Sequence, residues 1–219
     1  MLQIPDCYVL VEGVSDEICY DKFIELYNDS DYRINVIDCK GKTGVYKKYR
    51  GIVKEEHYIG SIVTILDSDA TKQHEDIMKI KKGKVLTHHH KYKNGSLEDL
   101  FSKKLILKVL NELYPGKPKL TIKELNPQIR MEDTLKKIVW EQRDTEFDKT
   151  KFAKAIAVQI ERKSLVPNIA KFITEQIIKI TEQRVKSKPR TQNLISIQGK
   201  EYKRKIMELK EIYVSESAD

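Results

Sequence analysis

Four short apolar runs punctuate the amino-terminal part of the chain: CYVLVE at 7–12, RINVIDC at 33–39, SIVTILD at 61–67 and VLTH at 85–88. Each is short and rich in β-branched or apolar residues, as buried strands are. Between them the pattern changes to helical spacing. Ser15 to Asn28 carries Ile18, Phe23, Leu26 and Tyr27 along one side, with Ser15 or Asp16 placed to cap it. Val45 to Glu56 and Thr71 to Lys81 read as weaker, more charged helices. Strand and helix alternate four times, which predicts βαβ units, a parallel sheet and right-handed crossovers.

After Ser96 the strand pattern stops. SLEDLFSKKLILKVLNELY, residues 96–114, reads as one strong helix ended by PGKP. Further helical segments follow at 131–142, 149–161 and 166–185, with Trp140 placed among apolar neighbours as a core residue. SKPRTQN at 187–193 reads as a linker, and EYKRKIMELKEIYV as a last helix or a partner-binding segment. The expected fold is α/β: a Rossmann-like parallel sheet flanked by helices over residues 1–115. A helical region, 116–186, packs on it, and 187–219 form a linker and charged helix.

The strands deliver acids. Glu12 ends the first, followed by Gly13, with Asp16 four residues on; Asp67 and Asp69 end the third; Glu98 follows the fourth, within NGSLEDLF. In a parallel sheet these junctions share one rim, where sites form. Clustered carboxylates repel one another unless a cation neutralises them. Hard oxygen donors suit Mg²⁺ or Mn²⁺ and phosphate chemistry. Taken singly, Asp16 and Glu98 are also what a helix start carries, and Asp67 or Asp69 what a polar strand end carries; the combination is what points to a metal.

Charge adds a partner class. Forty-one Lys and Arg against 33 Asp and Glu leave a formal net charge of +8, which favours nucleic acid as a partner. Gly41 and Gly44, with Lys40 and Lys42, follow a strand and offer either phosphate-facing amides or an ordinary glycine turn. VYKKYR, HHHKYK and EYKRKI interleave Tyr46, Tyr49, Tyr92 and Tyr202 with cations: bases stack on the rings and phosphates meet Lys47, Lys48, Arg50, His88, Lys91 and Lys93, or the runs are solvated faces. Three consecutive histidines, 88–90, point alternately in an extended segment and cannot readily share one ion; a structural role is expected for at least one ring. Cys7, Cys19 and Cys39 lack metal or redox spacing and read as core thiols of a reducing cytoplasm. No run approaches a membrane span or a targeting segment, so a cytoplasmic protein without a membrane partner is expected.

VEG followed by an acid, then DSDA closing a later strand, resembles the TOPRIM domain of topoisomerases, primases, recombination proteins and some nucleases. VEGVSDE, CKGKTGV, TILDSDA and GSLEDLF in this order are more narrowly similar to the OLD-family TOPRIM nucleases and their relatives in bacterial anti-phage defence, over roughly residues 5–180. The resemblance implies cleavage of DNA or RNA with two divalent ions, Mg²⁺ or Mn²⁺, roughly 3.5–4 Å apart. It places Glu12, Asp67 and Asp69 on one ion with Ser96 and Glu98 nearby, and Asp16 on a second. It also implies a lysine that stabilises transition-state charge. Lys149 in DKTKFAKAIA is the first choice, with Lys151 and Lys154 behind it. OLD proteins commonly carry an ABC-type ATPase domain, but this sequence holds no GxxxxGK[ST] loop, so an ATPase subunit is the expected partner of an oligomer. A non-catalytic nucleic-acid or partner-binding module, and a primase- or topoisomerase-related protein, are the alternatives.

Overall fold

The computed structural model describes residues 4–55, 58, 60–80, 86–93, 95–125 and 129–187, and only the backbone of 86–88. The alternating pattern folds as β1 (Cys7–Val11), α1 (Val14–Tyr27), β2 (Ile34–Asp38), α2 (Lys42–Lys54), β3 (Ser61–Leu66), α3 (Thr71–Lys79) and β4 (Leu86–Lys91). The helices α4 (Lys103–Leu113), α5 (Met131–Arg143), α6 (Lys149–Gln159) and α7 (Asn168–Ser187) follow. All strand pairs are parallel, in the order β2-β1-β3-β4. The chain therefore steps one way from β1 to β2 and the other way to β3. A crevice opens where the order reverses, outside the carboxyl ends of β1 and β3.

Side chains alternate across the sheet. Cys7, Val9 and Val11 with Val63 and Ile65 face one core, shared with Tyr20 and Phe23 of α1, Leu110 of α4, Leu135 of α5, Ile156 of α6 and Ile177 of α7. Leu10, Ile62 and Leu66 face the other, under Val45, Tyr49 and Ile52 of α2 and Ile77 of α3. Every residue of β3 is buried, as expected of a central strand covered on both faces. The helical region thus completes the first core. Phe152 and Ile156, one turn apart on α6, are both buried there, worth about 1.5–3 kcal/mol each. Residues up to Arg184 form one compact unit. Of a second, beginning at Val185, the described part is the end of α7; the expected linker beyond Ser187 and the last helix lie outside the described residues.

Several expectations are corrected. The single helix expected over 96–114 is a 3-10 turn, Leu97–Leu100, and then α4: Phe101 and Ser102 are extended, and the Ser102 hydroxyl accepts the Leu105 amide as a fresh cap. Neither Ser15 nor Asp16 caps α1; Gly13 holds that position and both lie in the first turn. Trp140 is 60% exposed, because α5 turns Leu135, Ile138 and Val139 inward and leaves Trp140 off that stripe. Tyr49 and Tyr92 are buried and cannot stack on bases; Tyr92 is hydrogen-bonded to Tyr20 at 2.8 Å. Strand β4 runs through the three histidines to Lys91. His89 bonds Thr64 at 2.8 Å and meets the edge of Tyr49, a structural role for that ring.

Candidate metal centre

Glu12 and Asp67 each follow the last residue of their strand, at the crevice between β1 and β3. Asp69 lies two residues on, in the turn before α3, and is exposed. Carboxylate oxygens of Glu12, Asp67 and Asp69 all lie within 4.8 Å of one another. Glu12 Oε1 accepts the Asp67 amide at 2.8 Å, which ties the two strand ends together and fixes the glutamate. Burial raises the Glu12 carboxyl, and the Asp69 charge adds to it. Burial, then the Glu12 and Glu98 charges, push Asp67 up to about 7. Asp69 is held low by its hydrogen bond to Lys42, 3.0 Å away.

Behind this triad lie two more carboxylates. Asp16, on the first turn of α1, is buried and raised well above the usual carboxylate range by that burial and by Asp67 and Glu98. Glu98 is also buried, with its Oε2 2.8 Å from the Ser96 hydroxyl and its Oε1 3.2 Å from Lys149. Asp16 and Glu98 do not belong to that group of three. An all-oxygen donor set of this kind, with Glu12, Asp16 and Asp67 held above their usual range by burial and then by neighbouring carboxylates, fits a divalent cation. The cation would restore them to the charged form.

The loop carrying Ser96 is built around Gly95. Its amide donates to the Ser68 hydroxyl and its carbonyl accepts the Ser68 amide, both at 3.0 Å, so the Asp-Ser-Asp turn and the Ser-Leu-Glu loop are joined. Ser96 and Asp99 form a capping box, and Asp99 Oδ1 accepts the Met131 amide at 3.0 Å, anchoring the start of α5. Gly95 has φ +91°, and a methyl there would come within 2.3 Å of Asp99 Oδ2. Gly95→Ala is therefore expected to cost about 2 kcal/mol or more, read as a lowered urea midpoint with unchanged slope.

Three cations from three different elements touch the acids. Lys42 opens α2 and meets Asp69. Arg130, just before α5, places its terminal nitrogen 3.3 Å from Asp67 Oδ2. Lys149 opens α6, whose cap is the Asp148 carboxylate accepting the Lys151 amide at 2.9 Å. It lies 3.0 Å from Glu132 and 3.2 Å from Glu98. Burial depresses the Lys149 ammonium, but the two glutamates outweigh it and raise it. Lys151 pairs with Asp148 instead, and Lys154 is exposed. Arg130 and Glu132 are members of the site that the sequence reading did not single out.

The other sequence-predicted cations are spread. Lys47, Lys48 and Arg50 lie exposed along α2, Arg50 over the Tyr46 ring at 5.6 Å. Lys40 pairs with Asp38, Lys91 bonds Thr71 at 3.0 Å, and Lys93 is exposed. The side chain of His88, and Tyr202, lie outside what is described. Gly41 spends its amide on the Glu12 carbonyl at 2.6 Å, and Gly44 lets α2 pass the Cys39 carbonyl, where a methyl would come within 1.6 Å. No helix among the described residues is long and apolar enough to cross a membrane.

Residues 5–69 match the family described as "Overcoming lysogenization defect protein-like, TOPRIM domain". This stretch contains Glu12, Asp16, Asp67 and Asp69. Among solved structures, the chain is similar to the C-terminal region of the Xanthomonas campestris pv. campestris OLD protein, with TM-score 0.59 and 18% identity, covering 82% of this chain and 95% of that one. The C-terminal region of the Burkholderia pseudomallei OLD protein gives TM-score 0.56 and 14% identity over 82% of this chain and all of that one. At these identities the likeness is one of fold. No curated protein sequence matches the chain.

Proposed function

We propose, from the match of residues 5–69 to the OLD-like TOPRIM family and the likeness in fold to OLD C-terminal regions, that this chain is a divalent-metal-dependent nuclease that hydrolyses phosphodiester bonds of DNA or RNA. The observation that carries the reading is the gathering of Glu12, Asp67 and Asp69 within 4.8 Å at the switch-point rim. These three would hold one Mg²⁺ or Mn²⁺ ion with Ser96 and Glu98 nearby, and Asp16 would help hold a second. Bound there, such ions supply Lewis acidity to the phosphate and a water that is nucleophilic near neutral pH.

The chain's own residues prepare that chemistry. Glu12 spends one oxygen on the Asp67 amide, so the other is presented in a fixed direction. Ser96 and Lys149 hold Glu98 between them, which orients a buried carboxylate side chain. Lys149 carries a positive charge that is already fixed before substrate arrives, and it is the residue proposed to stabilise charge growing on the phosphate. Lys40, Lys42, Lys47, Lys48, Arg50, His88, Lys91 and Lys93 are the proposed contacts along the strand, acting through counterion release. An ABC-type ATPase subunit, in an oligomer serving bacterial defence or repair, is the proposed setting.

The test is cleavage of plasmid DNA, single-stranded DNA and total tRNA with Mn²⁺ or Mg²⁺. Metal-dependent cutting of one of them is expected, and no cutting of any, with or without an added ATPase subunit, overturns the reading. Lys149→Met leaves buried Glu98 without its cation and costs stability, so Lys149→Arg is the more informative change. It keeps the charge but moves it, and is expected to leave the protein folded and cleavage about 10²-fold slower.

A further inference from the structure

We infer that Arg130 is a phosphodiester-binding residue of this site, parked on Asp67 until a cation takes that carboxylate. The inference rests on the nuclease reading above and adds a residue to it. Arg130 lies outside the stretch that matches the TOPRIM family, on the loop that leads into α5. Its terminal nitrogen is 3.3 Å from Asp67 Oδ2, at the long end of a hydrogen bond, and the guanidinium side chain is 39% exposed. Its Nε is buried and has no hydrogen-bond partner among the described residues. A guanidinium presents its donors as a planar fork that suits two oxygens of a carboxylate or phosphate at once. Here the fork is half used: one nitrogen is engaged, loosely, and one buried donor is left over.

The surrounding charges say when it would be released. Arg130 feels Asp67 most, then Asp69, Glu132 and Asp133. A divalent ion on Glu12, Asp67 and Asp69 would neutralise the two acids that Arg130 feels most and repel the guanidinium. The arginine is then left at the rim, anchored through the backbone of a helix start, with its fork unfilled. A phosphodiester entering to meet the ion supplies the missing oxygens. The same arginine therefore competes with an incoming ion for Asp67.

This exchange makes two opposite predictions for one substitution. Arg130→Gln is expected to bind Mn²⁺ more tightly in the absence of nucleic acid, by about 2–5-fold, since the competing partially exposed ion pair is gone. With Mn²⁺ present, it is expected to bind a phosphorothioate single-stranded oligonucleotide more weakly, with the slope of log affinity against log salt reduced by about one. Arg130→Lys, which keeps the charge without the fork, is expected to restore the slope and only part of the affinity. Calorimetry with Mn²⁺ alone, and anisotropy with DNA and RNA oligonucleotides of one sequence across a salt series, read both. Weakened Mn²⁺ binding, or an unchanged salt slope, in Arg130→Gln overturns the inference and leaves the nuclease reading standing. Wild-type protein that binds no Mn²⁺, or neither oligonucleotide, overturns the nuclease reading and this inference with it.

Discussion

Asp67→Ala is expected to lower metal-dependent cleavage by at least about 10³-fold while leaving the metal-free protein as stable as before, or more so. The loss follows from removing a donor at the centre of the carboxylate group; a metal ion contributes several kcal/mol to the transition state, and about 4 kcal/mol is 10³ in rate. Stability moves the other way because burial, and then the Glu12 and Glu98 charges, push the Asp67 carboxyl up to about 7. What the alanine gives up is a long, partly exposed contact with Arg130, worth little. Glu12→Ala separates the two effects. It is expected to abolish cutting equally but also to cost about 1–3 kcal/mol, because the Asp67 amide loses its acceptor. Glu12→Gln keeps an acceptor oxygen there, so it should recover stability without activity. Cleavage assays beside urea unfolding read all three variants. Undiminished cutting by Asp67→Ala and Glu12→Ala together would sink the metal-site assignment.

The residues at strand ends were legible in the sequence because the chemistry and the fold are written in the same place. An apolar run that stops on Glu12, and another that stops before Asp67, fix both a strand and the rim to which it delivers its acid. The order of strands then brings β1 and β3 side by side, so acids 55 residues apart share a hydrogen bond. Arg130 and Glu132 carry no such signal. They sit in QIRMED, where basic and acidic side chains look like any solvated helix start, and only tertiary packing brings the guanidinium to an aspartate 63 positions earlier. The tyrosines were misread for a different reason. Interleaving with lysine suggested base stacking, yet Tyr49 falls with Val45 and Ile52 on one face of α2, a spacing that marks a core position. Trp140 shows the converse: apolar neighbours in sequence are not neighbours on a helix face.

Mn²⁺ is expected to raise the unfolding temperature strongly at pH 8 and weakly at pH 5.5. The Asp67 carboxyl sits at about 7 in the folded protein against an ordinary value of 3.8, so the folded state holds this proton more tightly than the unfolded one. As pH rises from about 4 to about 7, the metal-free protein therefore loses stability at this group, by roughly 4 kcal/mol at most. Asp16 and Glu12, also raised, act in the same direction. Asp69 is lowered, so its contribution is intact above pH 4 and does not vary across the window. A cation binds the charged carboxylates and must displace the protons first. At pH 8, a Mn²⁺ concentration one hundred times its dissociation constant stabilises by about 2.7 kcal/mol, which is about 5–10 °C for a chain of this size. At pH 5.5 the proton on Asp67 alone weakens the ion about 30-fold, and the same Mn²⁺ concentration should give roughly a third of that shift. Scanning fluorimetry at both pH values, with and without Mn²⁺, measures the difference, and Asp67→Ala should flatten it. Equal shifts at the two pH values would mean that the ion does not meet the carboxylates that burial has raised, and that the stabilising site lies elsewhere on the chain.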